Sequence, residues 1–330
     1  MKKLLTILLL IPIIYSCNKI FGYKYNSATI SSSPVNLEFV NSEYDDYNST
    51  SPILGETFPL CFSSNRNSAG GEYDIIYKLI KFHFSKSSGE FQIEEETNTN
   101  MSVYIRNFDL HHALRKINST SDEFGPYLTR RFTYSDSRIL LYANNESGNF
   151  DIKFTHNLNN QEYDTIASIS YLNSSFDDYY PALNKDSSQI YWCSNRNGQF
   201  DILNVELDNS LDLLDRLYDD SEKTIRSIDV LNSTSDDKCP FIMEDFMVFA
   251  SDRAGGFGGF DLYYSEKING EWTAPENFGA EINSEYDEYR PIIRPQEQGY
   301  TNDLMIFSSN RPGGLGGFDL YYVGIEKIKF

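Results

Sequence analysis

Five imperfect copies of one motif run through the chain and constrain its fold more than any other feature. Each copy opens on Asn-Ser, near residues 41, 118, 173, 232 and 283. An acidic pair follows, then an apolar stretch, a turn in which Asn or Asp precedes Arg in four of the copies, and an aromatic-Asp step. The aspartates of these steps are separated by 77, 50, 60 and 58 residues. Such a spacing accommodates four short strands with their turns.

The repeated polar residues fall into three sets. The acidic pairs are Asp45 and Asp46, Asp122 and Glu123, Asp177 and Asp178, Asp236 and Asp237, and Asp287 and Glu288. The turn residues are Asn65 and Arg66, Asn145, Asn195 and Arg196, Asp252 and Arg253, and Asn310 and Arg311. The aromatic-Asp steps contribute Asp74, Asp151, Asp201, Asp261 and Asp319. The second copy departs from the pattern, because Glu146 follows Asn145 where the other copies have arginine.

The repeats predict an all-β fold, a five-bladed β-propeller of four-stranded blades. After Asp319 the sequence has room for a third strand and no fourth. The stretch 34–37 (P-V-N-L) is similar to 275–278 (P-E-N-F), so we expect an N-terminal strand to complete the last blade. Closing the ring in this way leaves no open sheet edge. We further expect an extended hairpin around 78–104 and a short helix over 211–218.

Composition supports strands and excludes one class of partner. Tyr, Phe, Asn, Ser and Asp are abundant, which favours strands and polar turns. The net charge of −20 repels nucleic acid. We therefore predict no nucleic-acid partner, and attraction for cationic partners or metal ions. Cys61, Cys193 and Cys239 show no disulfide or zinc spacing, and Cys61 and Cys193 are predicted to be small buried hydrophobes.

The first residues have the pattern of a secretory signal. Lys2 and Lys3 precede an apolar run that ends at Ile14, too short for a membrane span. The sequence Ile14-Tyr15-Ser16-Cys17 resembles the lipobox of bacterial lipoproteins. The resemblance implies a signal peptide at 1–16, a lipidated Cys17 with a tether over 17–27, and a single propeller domain over 28–330. It implies anchorage in the outer membrane, with the periplasmic side favoured and the cell surface as the alternative.

The turn sequence S-S-N-R-P-G-G-L-G-G-F-D over 308–319 resembles the β-propeller repeats of TolB-like proteins, in the variant found in Bacteroidetes-type envelope lipoproteins. The similarity covers about 28–330. It implies a non-catalytic binding or scaffold propeller in the cell envelope, with a protein or peptide partner on one face of the ring. The expectation is therefore that the chain is not an enzyme.

The repeat also predicts where the polar residues meet. In a four-stranded blade the acidic pair, the Asn-Arg turn and the aromatic-Asp step lie at one end, so all five copies should share one rim. We interpret the turn residues and step aspartates as structural, and each arginine as the partner of a carboxylate in its own blade. The ten residues of the acidic pairs form a candidate binding rim for a basic partner or for calcium. No other metal or cofactor is predicted.

The alternative is a carbohydrate-active propeller enzyme of the glycosidase type, which would use two carboxyl groups across a sugar bond. Catalytic residues would break the symmetry of the blades, whereas the conspicuous carboxylates of this chain follow the repeat. Nucleophile elbows, phosphate-binding loops and the H-E-x-x-H zinc motif are absent from the sequence. No catalytic residue is predicted from the sequence, and the enzyme stays the second interpretation.

Overall fold

A computed structural model describes residues 24–52, 57–97, 110–130, 138–157, 163, 166–296 and 299–329. Its described strands form five sheets arranged as a five-bladed β-propeller, and the predicted fold class is confirmed. Cys17 and the rest of the predicted signal peptide lie outside the described residues. Within the described ranges, no helix has the length and apolar character needed to cross a membrane.

The strands follow the chain order blade by blade. Blade one contains β2 (Asp46–Thr50), β3 (Thr57–Ser64), β4 (Asp74–Phe84) and β5 (Phe91–Glu95). Blade two contains β6 (Glu123–Arg130), β7 (Arg138–Asn144), β8 (Asp151–Asn157) and β9 (Ala167–Ser168). Blade three contains β10 (Asp178–Leu183), β11 (Gln189–Ser194), β12 (Asp201–Glu206) and β13 (Arg226–Ser227).

Blade four has a fifth strand, and blade five takes its fourth strand from the N-terminal part of the chain. Blade four contains β14 (Asp237–Met243), β15 (Phe246–Ser251), β16 (Asp261–Ile268), β17 (Glu271–Trp272) and β18 (Glu276–Asn277). Both β17 and β18 pair with β16. Blade five contains β19 (Glu288–Arg294), β20 (Asp303–Ser309), β21 (Asp319–Ile325) and the N-terminal β1 (Val35–Asn36). Because β1 pairs antiparallel with β21, the predicted closure of the ring is confirmed.

The blades pack face to face, so both surfaces of their inner strands are apolar. All seven residues of β7 and of β20 are buried. Helix α1 (His111–Ile117) covers blades one and two, and its Leu114 packs in one cluster with Ile75 and Leu140. The helix predicted over 211–218 is present as α2 (Leu213–Tyr218), and Asp212 caps it by accepting from the Leu214 N–H. The three described cysteines are free and buried.

The motif Asn forms two hydrogen bonds to the preceding blade at every blade boundary, which explains why Asn recurs. We call this pair of bonds the latch. The Asn283 Oδ1 accepts from the Leu262 N–H of the preceding blade at 2.8 Å, and its Nδ2 donates to the Leu262 carbonyl at 3.0 Å. The same two bonds occur at the other four boundaries. They join Asn41 to Leu320, Asn118 to Ile75, Asn173 to Ile152, and Asn232 to Ile202.

The hairpin predicted around 78–104 corresponds in part to β4 and β5. Strand β4 runs on to Phe84, and a turn brings the chain back so that Phe91 pairs with Phe84. Residues 98–109 lie outside the described part of the chain. The longest spacing between motif copies therefore includes an outer hairpin of blade one.

The latch predicts a stability cost. Asn283→Ala would leave the buried Leu262 N–H without an acceptor, and we expect the free energy of unfolding to fall by about 1–3 kcal/mol. Denaturant unfolding followed by circular dichroism measures this change. Asn209→Ala is the control, because Asn209 is an exposed turn residue. Equal stabilities of the two variants would contradict the latch.

Candidate functional site

The predicted polar sets meet at one end of the ring, which we call the motif rim. In blade four, Asp237 at the start of β14 lies opposite Ser251, and Ser251 lies opposite Asp261 at the start of β16. The other four blades have the same register. The structure thus brings together the acidic pairs, the turns and the aromatic-Asp steps.

The first acid of each pair binds the neighbouring blade. The Asp287 Oδ1 accepts from the Phe260 N–H of blade four at 2.9 Å. The Asp287 N–H in turn donates to Asn310 of its own turn at 2.8 Å. Equivalent inter-blade bonds join Asp45 to Phe318, Asp122 to Tyr73, Asp177 to Phe150, and Asp236 to Phe200. Equivalent turn bonds reach Asn65, Asn145, Asn195 and Asp252.

The second acid of each pair is fully buried. Asp178 accepts from the Ser174 N–H and hydroxyl, and Arg196 lies 2.6 Å from its Oδ1. Glu288 has the same partners in Ser284 and Arg311, with the ion pair at 2.8 Å. Corresponding ion pairs join Arg66 to Asp46 and Arg253 to Asp237. These carboxylates face inward and are neutralised within their own blades.

The aspartates of the aromatic-Asp steps order the glycine turns. Asp261 accepts from the Phe257 N–H at 2.7 Å and from the Gly258 N–H at 3.2 Å. Asp74, Asp151 and Asp201 contact Asn67, Ser147 and Asn197 of their turns, and Asp319 contacts the turn residue Gly316. In the described ranges, no group of three or more His, Cys, Asp or Glu side chains is arranged to hold a metal ion. Calcium binding at the motif rim stays a prediction, as does a basic partner there.

An aromatic belt, which was not predicted from the sequence, surrounds the channel at the motif rim. Successive ring centroids lie 4.5–6.4 Å apart. Lys238 takes one position, with its Nζ 4.1 Å from the Phe200 centroid and 5.1 Å from that of Phe260. The belt consists of Tyr47, Tyr73, Phe124, Phe150, Tyr179, Phe200, Lys238, Phe260, Tyr289 and Phe318. The sequence contains one signal of this belt, because an aromatic residue directly follows the acidic pair in four of the five copies.

Blade two is the exception at the motif rim, as its sequence indicated. Glu123 has no arginine partner and accepts instead from the Ser119 hydroxyl and the Asn144 amide, both at 2.7 Å. Lys153 donates to Asn144 and Glu146. Burial raises the pKa of the Glu123 carboxyl to about 7, and hydrogen bonds from Ser119 and Asn144 only partly oppose this shift.

A second opening, the mouth cavity, lies where the innermost strands end. It has a volume of about 350 Å³ and is lined by residues such as Tyr127, Leu183 and Phe241. Glu244 is its one acidic residue among the described lining, and Lys185 pairs with it at 2.6 Å. The mouth cavity is therefore largely apolar and offers no unpaired carboxylate in the described part of the chain.

A larger space of about 590 Å³, the outer cleft, lies between blades four and five. Phe246, Tyr264 and Phe278 form its aromatic side, with centroids 5.3 Å apart for Phe246 and Tyr264 and 4.9 Å apart for Tyr264 and Phe278. Its polar lining includes the carboxylates Glu266, Glu281 and Glu326 and the amides Asn277 and Asn302. The outer cleft thus combines a row of rings with several carboxylates.

Strand pairing explains how rings and carboxylates come together in the outer cleft. Phe246 on β15 lies opposite Glu266 on β16, and Tyr264 lies opposite Glu276 on β18. Tyr264 and Glu266 point to the same face of β16, because side chains alternate along a strand. The Tyr264 hydroxyl donates to Glu276 at 2.8 Å. Desolvation and then the charges of Glu276, Glu266 and Glu326 raise the pKa of Tyr264 to about 12.

Comparison with known proteins gives fold similarity and nothing closer. No protein-family model and no curated sequence matches the chain. An endo-arabinase from Bacteroides thetaiotaomicron is 12% identical with a TM-score of 0.53, over 92% of this chain and 98% of that chain. A thermostable family-43 glycoside hydrolase is 12% identical with a TM-score of 0.52, over 90% and 96%. An exo-β-1,3-galactanase from Clostridium thermocellum is 10% identical with a TM-score of 0.51, over 90% and 63%.

These matches correct three predictions. The relationship to TolB-like repeat proteins is wrong, because the similar structures are glycoside hydrolase propellers and no family model supports TolB. The prediction of a non-catalytic binding or scaffold propeller is wrong for the same reason, and with it the prediction that the chain is not an enzyme.

The unpaired carboxyl of blade two predicts a pH dependence. The pKa of Glu123 rises from 4.5 to about 7 on folding, so the folded state holds the proton more tightly than the unfolded state. The bound proton contributes up to about 3 kcal/mol to the free energy of unfolding. This contribution is complete below about pH 4.5 and is lost as the pH rises through about 7. We expect Glu123→Gln to flatten the pH profile of the unfolding free energy between about pH 5 and 8.

The control for this measurement is Glu146→Gln, because the Glu146 side chain is exposed and pairs only at the surface with Lys153. This variant should keep the slope of the unmodified protein. If Glu123→Gln and the unmodified protein had the same slope, the raised pKa of Glu123 would be refuted.

Proposed function

We propose that this chain is a carbohydrate-active enzyme that cleaves glycosidic bonds, with its sugar bound in the outer cleft. The observation that carries the proposal is the joint presence of an aromatic row and three carboxylates in one cleft of about 590 Å³. Concave sites with aromatic walls and a few convergent polar groups are the usual form of small-ligand sites. The similarity to an endo-arabinase and an exo-β-1,3-galactanase supports a polysaccharide as the substrate.

Each part of the outer cleft has a role in this proposal. The apolar faces of a sugar ring stack on Tyr264 and Phe278, while its hydroxyl groups bond to any amide hydrogen of Asn277 and Asn302 that is left over from their bonds to Asp261, Asn283 and Ile30. Amide groups both donate and accept, which suits hydroxyl groups. The aromatic row thus fixes the plane of the sugar, and the amides fix its rotation within that plane.

Hydrolysis requires two carboxyl groups with different tasks. One protonates the oxygen of the leaving group, and the other attacks the anomeric carbon or activates a water molecule. We propose Glu266 and Glu326 for this pair, because the charges of both act on the Tyr264 hydroxyl and both residues line the outer cleft. Glu276 accepts from Tyr264 and is a positioning residue.

The second acids of the five pairs are poor candidates for the same chemistry. Asp46, Asp178, Asp237 and Glu288 are fully buried and engaged by arginine. Glu123 has a suitable pKa but is equally buried and is held by Ser119 and Asn144. The outer cleft places the exposed carboxylates Glu266 and Glu326 beside aromatic rings.

The proposal predicts hydrolysis of at least one polysaccharide and its loss on substitution. The full chain would be incubated with arabinan, β-1,3-galactan and xylan, with release of reducing ends as the measurement. Glu266→Gln and Glu326→Gln are each expected to lower kcat by about 10²–10⁴-fold, the usual effect of losing an acid or base. Their melting temperatures should change little, because both side chains are exposed.

Glu222→Gln is the matched control, because Glu222 is an exposed acid that does not line the outer cleft. It should keep the activity of the unmodified protein. Absence of hydrolysis on all three polysaccharides, or full activity of both cleft variants, would refute the proposed function.

We also propose that the enzyme is attached to the outer membrane through lipidated Cys17, with the periplasmic side favoured. The lipobox-like sequence before Cys17 supports this placement, and two or three acyl chains would hold the chain firmly. An envelope protein or peptide partner stays a prediction. Cys17→Ala is expected to move the protein from the membrane fraction to the soluble fraction on cell lysis. Retention in the membrane fraction would contradict the anchor.

A further inference from the structure

The channel interior has a backbone feature that recurs in all five blades. Every innermost strand shifts register at a bulge, and the same position of each bulge has a left-handed conformation with φ between 45° and 60°. These positions are Asn48, Gly125, Tyr180, Cys239 and Arg290. Such a conformation is unfavourable for residues other than glycine, and bulges of this kind redirect side chains. Five different residue types therefore occupy this one position of the repeat.

Arg290 crosses the channel and is incompletely paired. Its side chain is fully buried, and its Nη2 donates to the Pro126 carbonyl of blade two at 3.2 Å. The guanidinium lies 5.3 Å from the centroid of the Tyr180 ring. Its Nε and Nη1 have no hydrogen-bond acceptor among the described residues. Burial lowers the pKa of Arg290, in agreement with a desolvated cation.

The four arginines of the motif rim differ from Arg290 in their carboxylate partners. Each of them contacts a buried carboxylate of its own blade, whereas no described carboxylate forms an ion pair with Arg290. A buried charge without a partner costs several kcal/mol. The channel therefore holds a cation in need of a negative partner.

Further donors occur in blade one, next to blade five. The Asn48 N–H donates to Ser308 of blade five at 3.1 Å, which places the two blades in direct contact at the bulge. Asn48 Nδ2, Ser49 Oγ and Ser63 Oγ are buried and have no partner in the described part of the chain. An amide and two hydroxyl groups can all donate hydrogen bonds. The buried groups without a partner in the described part of the chain thus include the Arg290 guanidinium, the Asn48 amide, whose Oδ1 is also without a donor, and two hydroxyl groups.

We propose that the channel binds a small monovalent anion, with chloride as its physiological form, between Arg290 and the donors of blade one. The ligand must be small because the channel is packed: a Cβ at Gly125 would lie 2.3 Å from the Tyr180 ring. Arg290 is not among the described residues that line the mouth cavity. The anion neutralises the guanidinium and joins blades five, one and two, independently of the proposed hydrolysis.

Thermal unfolding of the full chain tests the proposal. Melting temperatures would be measured in sodium chloride, sodium bromide and sodium gluconate at equal ionic strength and pH. Chloride and bromide are expected to raise the melting temperature in a saturable manner, by about 4 °C at a hundredfold excess over Kd. Arg290→Met should abolish the difference between chloride and gluconate, and Asn48→Gly should reduce it while accommodating the left-handed backbone.

Arg226→Met is the control, because the Arg226 side chain is exposed and pairs only with Glu206 at the surface. It should keep the response to chloride. Should Arg290→Met fail to fold, bromide in crystals of the unmodified protein gives an independent measurement, with an anomalous peak expected beside the guanidinium. Equal melting temperatures in chloride and gluconate, or the lack of such a peak, would overturn the proposal.

Discussion

Two hydrogen bonds from each motif asparagine to the third strand of the preceding blade hold the ring together. The first acid of the following pair adds a third bond to the same strand, through the N–H of the aromatic-Asp step. At the boundary between blades five and one these bonds come from Asn41 and Asp45, which reinforce the pairing of β1 with β21. The blades contribute apolar faces, and the latches fix how those faces meet.

Part of the negative charge behind the net charge of −20 is buried or paired with arginine, so less of it faces solvent than the sequence suggests. Half of the ten acids of the acidic pairs are fully buried, and four of these are neutralised by arginines. The carboxylates of the outer cleft belong to no repeat and are exposed to solvent. Repetition therefore identifies the acids that build the ring, while the acids that we propose to act on a sugar lie outside the repeat.

The same distinction explains which features of the protein could be predicted from its sequence and which could not. Blade number and closure follow from the spacing of the motif and from Asn36 and its neighbours, because they depend on local patterns. The TolB-like resemblance failed as a guide to function. The turn residues from Ser308 to Asp319 are required for the structure of a blade and do not determine what the ring binds. The outer cleft could not be predicted, since Phe246, Glu266 and Glu326 approach one another only through strand pairing between distant segments and the packing of two blades.

The central claim is that the motif builds the ring and that sugar binds away from it, in the outer cleft. A crystal structure of the full chain grown with arabino-oligosaccharides or β-1,3-galacto-oligosaccharides tests this most directly. The account predicts sugar density stacked on Tyr264 and Phe278, with Glu266 and Glu326 beside a glycosidic bond. Sugar density at the aromatic belt of the motif rim, with the outer cleft empty, would contradict it.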